Sequence, residues 1–92
     1  MRDFEWDDDK AASNLRKHGV GFDEASTALL DPLALTVFDD THSVTEDRWL
    51  TIGLSMASRL LLVVSTERDQ QARIISARKA NASERQIYEQ QH

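Results

Sequence analysis

Arg68 closes the stretch TER, and Arg73, Arg78 and Lys79 follow it in RIISARKA; Arg48 stands earlier, two residues after Glu46. Guanidinium groups grip phosphate bidentately and keep their charge throughout the working pH range. Several of them fixed on a sheet would hold a phosphodiester and stabilise the extra negative charge of its transition state. RNA carries its own nucleophile, the 2′-hydroxyl. Its cleavage therefore asks a protein for cations at the phosphate, a base, and an acid for the leaving oxygen. Glu46, His18, Lys17 and Tyr88 are the candidate proton carriers, and His18 has the unperturbed pKa best suited to the task. The competing account is structural. Each arginine then pairs with a local acid, as Arg68 with Glu67 or Asp69, and His18 is a helix C-terminal cation packed beside the core.

Other chemistries find less support. There is no glycine-rich phosphate loop, no G-x-S-x-G and no H-E-x-x-H in the sequence. The three histidines, His18, His42 and His92, are far apart. His42 with Asp39 or Asp40 is a conceivable metal site, but the expectation is a protein without metal or cofactor. The run Asp7 to Asp9 suits a helix start better than a metal cluster. Absence of cysteine excludes disulfides, thiolate nucleophiles and Cys-based zinc sites.

The elements that must position the arginines follow from local pattern. Asp7 caps a first helix, with Asp8 and Asp9 in its positive first turn and Arg16, Lys17 and His18 in its negative last turn. Gly19 supplies the left-handed residue that ends it. Lys10, Asn14 and Lys17 share one helical face, and Ala11, Leu15 and His18 another. A second helix is expected through DEASTALL, capped by Asp23 and ended near Asp31 by Pro32. Period-2 patterns then predict strands in LALTVF, RWLTIGLS, RLLLVVSTER and ARIISARKA, with the polar loop DDTHSVTED between the first two. RLLLVVSTER is apolar on both faces and so belongs in the sheet centre. The link DQQA predicts an antiparallel hairpin. Strict alternation would put Arg73, Ile75, Ala77 and Lys79 on one face and Ile74, Ser76 and Arg78 on the other. Asn81 and Glu84 open a final helix with a capping box. The order is ααββββα, an α+β fold with a four-stranded, mainly antiparallel sheet.

Ninety-two residues, 40% hydrophobic and 29% charged, suit one soluble domain over residues 1–92. No apolar run approaches the ~20 residues needed to span a bilayer. The charged N-terminus lacks signal-peptide character, so the cytoplasm is the expected location. The net charge of −5 is divided unevenly. Residues 1–47 carry twelve acids against four Lys/Arg, and residues 48–92 carry four acids against seven. Such asymmetry points to separate surfaces for oppositely charged partners.

FEWDDDKAASNLRKHGVGFDEA, DP, EDRWLTIG, TERD, RIISARKA and ERQIY, in that order from Phe4 to Tyr88, resemble the BrnT family of bacterial toxins. Gly21 stands where the family usually has Ser. The resemblance implies a RelE-like fold and a type II toxin that cleaves RNA and arrests growth. It also implies a BrnA-like antitoxin whose ribbon-helix-helix domain represses the operon, so that DNA is met only through that partner. Carried onto this chain, the family pattern implies Arg68 and Arg78 as phosphate and transition-state ligands. It implies Arg48 and Lys17 as RNA or phosphate contacts, and Glu46 or His18 as base or acid. On this expectation Arg68 and Arg78 converge on the scissile phosphate, while Arg73 and Lys79 touch RNA or serve solubility and partner contact. A non-catalytic, antitoxin-binding corepressor module is the alternative.

Overall fold

A computed structural model describes residues 4–41 and 46–91. Helix α1 runs Asp8–His18, and the Asp7 carboxylate accepts hydrogen bonds from the backbone N–H groups of Asp9 (2.8 Å) and Lys10 (3.1 Å). Those bonds hold its carboxyl below the usual carboxylate range. Gly19, at φ 69°, closes the helix by donating to the Leu15 carbonyl. Helix α2 spans Phe22–Leu29, and its cap is Gly21, not Asp23 as the sequence suggested. Asp23 instead lies in the first turn, because the helix starts early enough to carry Phe22 into the core, where it is 1% exposed.

Strands β1 (Leu35–Phe38), β2 (Arg48–Leu54), β3 (Leu60–Arg68) and β4 (Gln71–Lys79) form one sheet in that order, every neighbouring pair antiparallel. Helix α3, Ala82–Glu89, follows with the Asn81–Glu84 capping box in place. The architecture is α+β in the order ααββββα. His42 to Thr45, in the loop before β2, lie outside the described residues, as does His92. Asp69 and Gln70 join β3 to β4 with φ of 52° and 65°. Positive φ at both central positions is the two-residue hairpin geometry that matches strand twist.

The main core lies between the sheet and the first two helices: Val20, Phe22, Ala25, Ala28, Leu61, Val63, Ile74 and Ala77. Trp6 meets the Phe22 ring edge-on, centroids 6.1 Å apart. Gly53 lets α2 approach the sheet, since a Cβ there would stand 2.2 Å from the Ala28 carbonyl oxygen. On the opposite face α3 covers Ile52, Leu60 and Leu62 with Tyr88.

Two features of β4 decide where its charges go. The buried Asn14 side chain donates to the carbonyls of Ala77 (2.8 Å) and Val20 (2.9 Å) and accepts from the Ala77 N–H (3.1 Å). It thus acts as a peptide group that binds α1 to the outer edge of the strand. The register with β3 also slips between Val64 and Ser65, where Ser76 and Ile74 are the successive partners and Ile75 is extra. Such a bulge reverses the alternation. Ile74 and Ala77, expected on opposite faces, are therefore both buried at 1% exposure on the side covered by α1 and α2. Arg73 and Arg78, also expected on opposite faces, both come to the α3 side.

Candidate active site

Residues paired across a sheet project to the same side. Arg48 pairs with Thr66, and Thr66 with Arg73, so two arginines flank one threonine in a single row across β2, β3 and β4. Two strand spacings put their backbones about 10 Å apart. Arg68 lies two residues beyond Thr66 on the same face, at the hairpin end of β3, and Glu46 lies two residues before Arg48. Lys10, Glu46, Thr66, Glu67, Arg68 and Arg73 line one open hollow of about 370 Å³. Arg48 stands at its side, with Nε 3.7 Å from Glu46 Oε1.

Each member has a local reason for its place. Thr66 donates its hydroxyl to the Asp47 carbonyl (2.6 Å), tying the segment before β2 to β3. Glu5 forms a parallel bridge with Arg73, extending the sheet past β4, and its carboxylate receives Arg73 Nη1 at 3.2 Å. Arg68 is exposed beside the turn. Among the described residues it forms no ion pair with Glu67 or Asp69, so the local pairing considered from sequence is not seen. The hollow thus combines three cations, one of them shared with a nearby carboxylate, with two glutamates. This can hold a phosphate against guanidinium forks while keeping a carboxylate within reach as a base.

The expected convergence of Arg68 and Arg78 is not what the register produces. Arg68 pairs with Gln71, whereas Arg78 pairs with Leu62, six residues back along β3. At the rise of a strand that is roughly 20 Å. In an antiparallel hairpin the end of one strand lies beside the start of the next, so residues near both C-terminal ends are far apart. Arg78 is also occupied. Its Nη1 and Nη2 donate to the two carboxylate oxygens of Glu84 at 2.8 and 2.7 Å, and Nη1 also reaches the Lys79 carbonyl. The hydrogen bonds from Arg78 hold the Glu84 carboxyl below its usual range, and the same contact raises the guanidinium's own pKa.

Lys17 and His18 lie elsewhere, in a second hollow between α1 and the bulged part of β4 that Lys10, Ser13, Asn14, Ile75 and Ser76 complete. Lys79 pairs with Leu61 on the side covered by α1 and α2, at the end of β4 away from the hairpin. Its charge adds to the hydrogen bonds from Arg59 and Ser55 that keep Glu24 below the usual carboxylate range. Tyr88 donates to Asp31 Oδ2 at 2.5 Å, a bond that, with burial, pushes its hydroxyl up to about 12. Tyr88 is not among the residues that line the hollow of Arg68 and Arg73, and its hydroxyl is engaged with Asp31. Lys10 and Thr66 are the residues sequence reasoning passed over. The helical spacing of Lys10 and Lys17 was visible, but the place of Thr66 depends on strand register.

A family model described as "Ribonuclease toxin, BrnT, of type II toxin-antitoxin system" matches residues 6–84 of the chain. Among solved structures, the fold is similar to the 1.1 Å crystal structure of the Brucella abortus ribonuclease toxin, BrnT. The TM-score is 0.67 at 23% sequence identity, over 85% of this chain and 95% of that one. No curated protein matches the sequence.

Proposed function

The chain belongs to the BrnT family of ribonuclease toxins of type II toxin–antitoxin systems, and from that premise we propose that it is a metal-independent endoribonuclease acting at the hairpin end of the sheet. The observation that carries this is the row Arg48–Thr66–Arg73, with Arg68 and Glu46 on the same face. The three guanidiniums hold the scissile phosphate and stabilise the charge that builds on it in the transition state. Glu46 takes the proton of the 2′-hydroxyl as that oxygen bonds to phosphorus. The bond to the 5′-oxygen breaks, and that oxygen leaves with a proton from water. A 2′,3′-cyclic phosphate results. Arg78 has a different part, holding the start of α3 through Glu84.

Loss of RNA then stops translation and growth in the cytoplasm. No helix among the described residues is long and apolar enough to cross a membrane. An antitoxin partner follows from the family, and we assign it to the BrnA-like, ribbon-helix-helix type that carries the pair to operator DNA. The acidic N-terminal half is suited to receive basic residues of such a partner. A second reading, an antitoxin-binding corepressor without catalysis, draws on the ion pairs that already engage Arg73 and Arg48 with Glu5 and Glu46. Incubating the purified protein with mixed RNA, in excess chelator and low salt, decides between them. Cleavage by the wild type and none by an Arg68→Ala/Arg73→Ala variant is the outcome expected. Equal cleavage by both would refute the assignment, and none by either would leave the corepressor.

A further inference from the structure

Lys10 lines both hollows. One holds Arg68 and Arg73; the other holds Lys17 and His18 and has no carboxylate in its wall. The second hollow has a definite origin in the fold. Asn14 fastens α1 along the strand at Ala77, and the extra residue Ile75 pushes the strand edge outward just before it. The cleft that results is floored by Ile75 and Ser76. Lys10 and Lys17, seven residues apart on one face of α1, stand about 10 Å apart along the helix axis. In a chain of net charge −5, with Asp8 and Asp9 in the first turn of that same helix, a cleft lined by cations and hydroxyls is a local exception to the global field.

We infer that this cleft is a second phosphate subsite, with Lys10 and Lys17 binding the backbone of the single-stranded RNA next to the nucleotide being cut. The inference rests on the proposed cleavage site only in naming the end at which the strand enters. Ser13 and Ser76 supply hydroxyl donors to the same backbone, and the apolar Ile75 lies beneath it. Lys10 belongs to both hollows and so links cleavage site and subsite.

The test separates binding from cleavage by using a fluorescent 2′-O-methyl RNA decamer, which lacks the attacking hydroxyl. Its affinity is followed by anisotropy over a series of salt concentrations. Each phosphate contact on a single strand contributes about −0.7 to the slope of log K against log salt. A Lys10→Gln/Lys17→Gln variant should lose about 1.4 from the magnitude of that slope, twice the single-strand value. An Arg16→Gln/Arg85→Gln variant, with the same change in net charge at exposed positions outside both hollows, should keep the wild-type slope. Melting curves confirm that both variants fold. A wild-type slope for the lysine variant, or an equal loss in the arginine control, overturns the subsite. So does an unchanged RNA slope accompanied by lost binding of a poly-glutamate peptide, which would give the cleft to an acidic protein segment. A slope difference with no cleavage by the wild type would sustain the subsite and defeat the nuclease.

Discussion

Arg73 and Arg78 face the same side of β4 although they are five residues apart, because Ile75 is an extra residue between them. They nevertheless serve different ends of the sheet. Arg73 lies in the row with Thr66 and Arg48, while Arg78 lies opposite Leu62, beneath the start of α3. The pair separates chemistry from structure. Arg73→Ala should lower kcat/KM for RNA cleavage by a factor of about 10² to 10³, the usual loss of one donor to a transition-state anion. Its ion pair with Glu5 is partly buried, the side chains 25% and 34% exposed, and a pair that keeps such access to water contributes about 1 kcal/mol or less, so the melting temperature should fall by no more than a few degrees. Arg78→Ala should do the reverse, loosening α3 and lowering the melting temperature while kcat/KM stays near wild type. Equal losses of activity would return Arg78 to the reaction.

Glu46 is one of the two glutamates that line the hollow with Arg68 and Arg73, Glu67 being the other. If it is the base, Glu46→Gln should reduce cleavage by about 10² to 10⁴-fold. It should leave affinity for the 2′-O-methyl oligonucleotide unchanged or slightly higher, since a negative charge is removed near the phosphate. A fall in binding equal to the fall in cleavage would show that Glu46 positions RNA and takes no proton.

Tyr88 connects α3 to Asp31, which also accepts the backbone N–H groups of Leu33 (3.0 Å) and Leu54 (2.8 Å). Its hydroxyl is raised in the folded state to about 12, first by the Asp31 hydrogen bond and then by burial. A group with a raised folded pKa stabilises fully below its unfolded pKa, about 10 for tyrosine. That contribution is lost as pH climbs from there through the folded value. Stability should therefore decline between about pH 10 and 12. In Tyr88→Phe the decline should be shallower and start from a stability lower by about 1.5–3 kcal/mol, the worth of a hydrogen bond to a charged acceptor. Denaturant titrations across that range would show a parallel decline if the bond were unimportant.

Glu84 works in the opposite sense. Hydrogen bonds from Arg78 lower its pKa, with burial opposing. Its contribution is present above the unfolded carboxylate value of about 4.3 and fades as pH falls below it. Melting temperatures of the wild type should thus drop on acidification below that point, and Glu84→Gln should drop less.

Asn14→Asp tests the fastening of α1. The amide donates to two carbonyls, and a carboxylate would turn a buried acceptor toward both. The change should cost about 3–5 kcal/mol, the range for leaving a buried charge uncompensated. A melting temperature within a few degrees of wild type would mean that α1 is held chiefly by its apolar contacts.

Much of this protein was legible in the sequence because the signals are local. Asp7, Gly19 and the Asn81–Glu84 box mark helix ends through hydrogen bonds that span three or four residues. The period-2 runs marked the four strands, and the doubly apolar LLLVV placed β3 inside the sheet. The cap of α2 was misplaced because burial of Phe22, a tertiary effect, outweighed the capping preference of Asp23. The arginines themselves were visible, but their grouping was not. Which side chains share a row depends on pairing register, and register is settled by the hairpin turn at Asp69–Gln70 and by packing against the core. One slipped residue at Ile75 turned Arg73 and Arg78 to a common face and left Lys79 on the other. The antiparallel return of the chain carried Arg78 away from Arg68 and set Arg73 beside Thr66 and Arg48. Composition and order determined the family and the fold class; only the tertiary structure decided which cations meet.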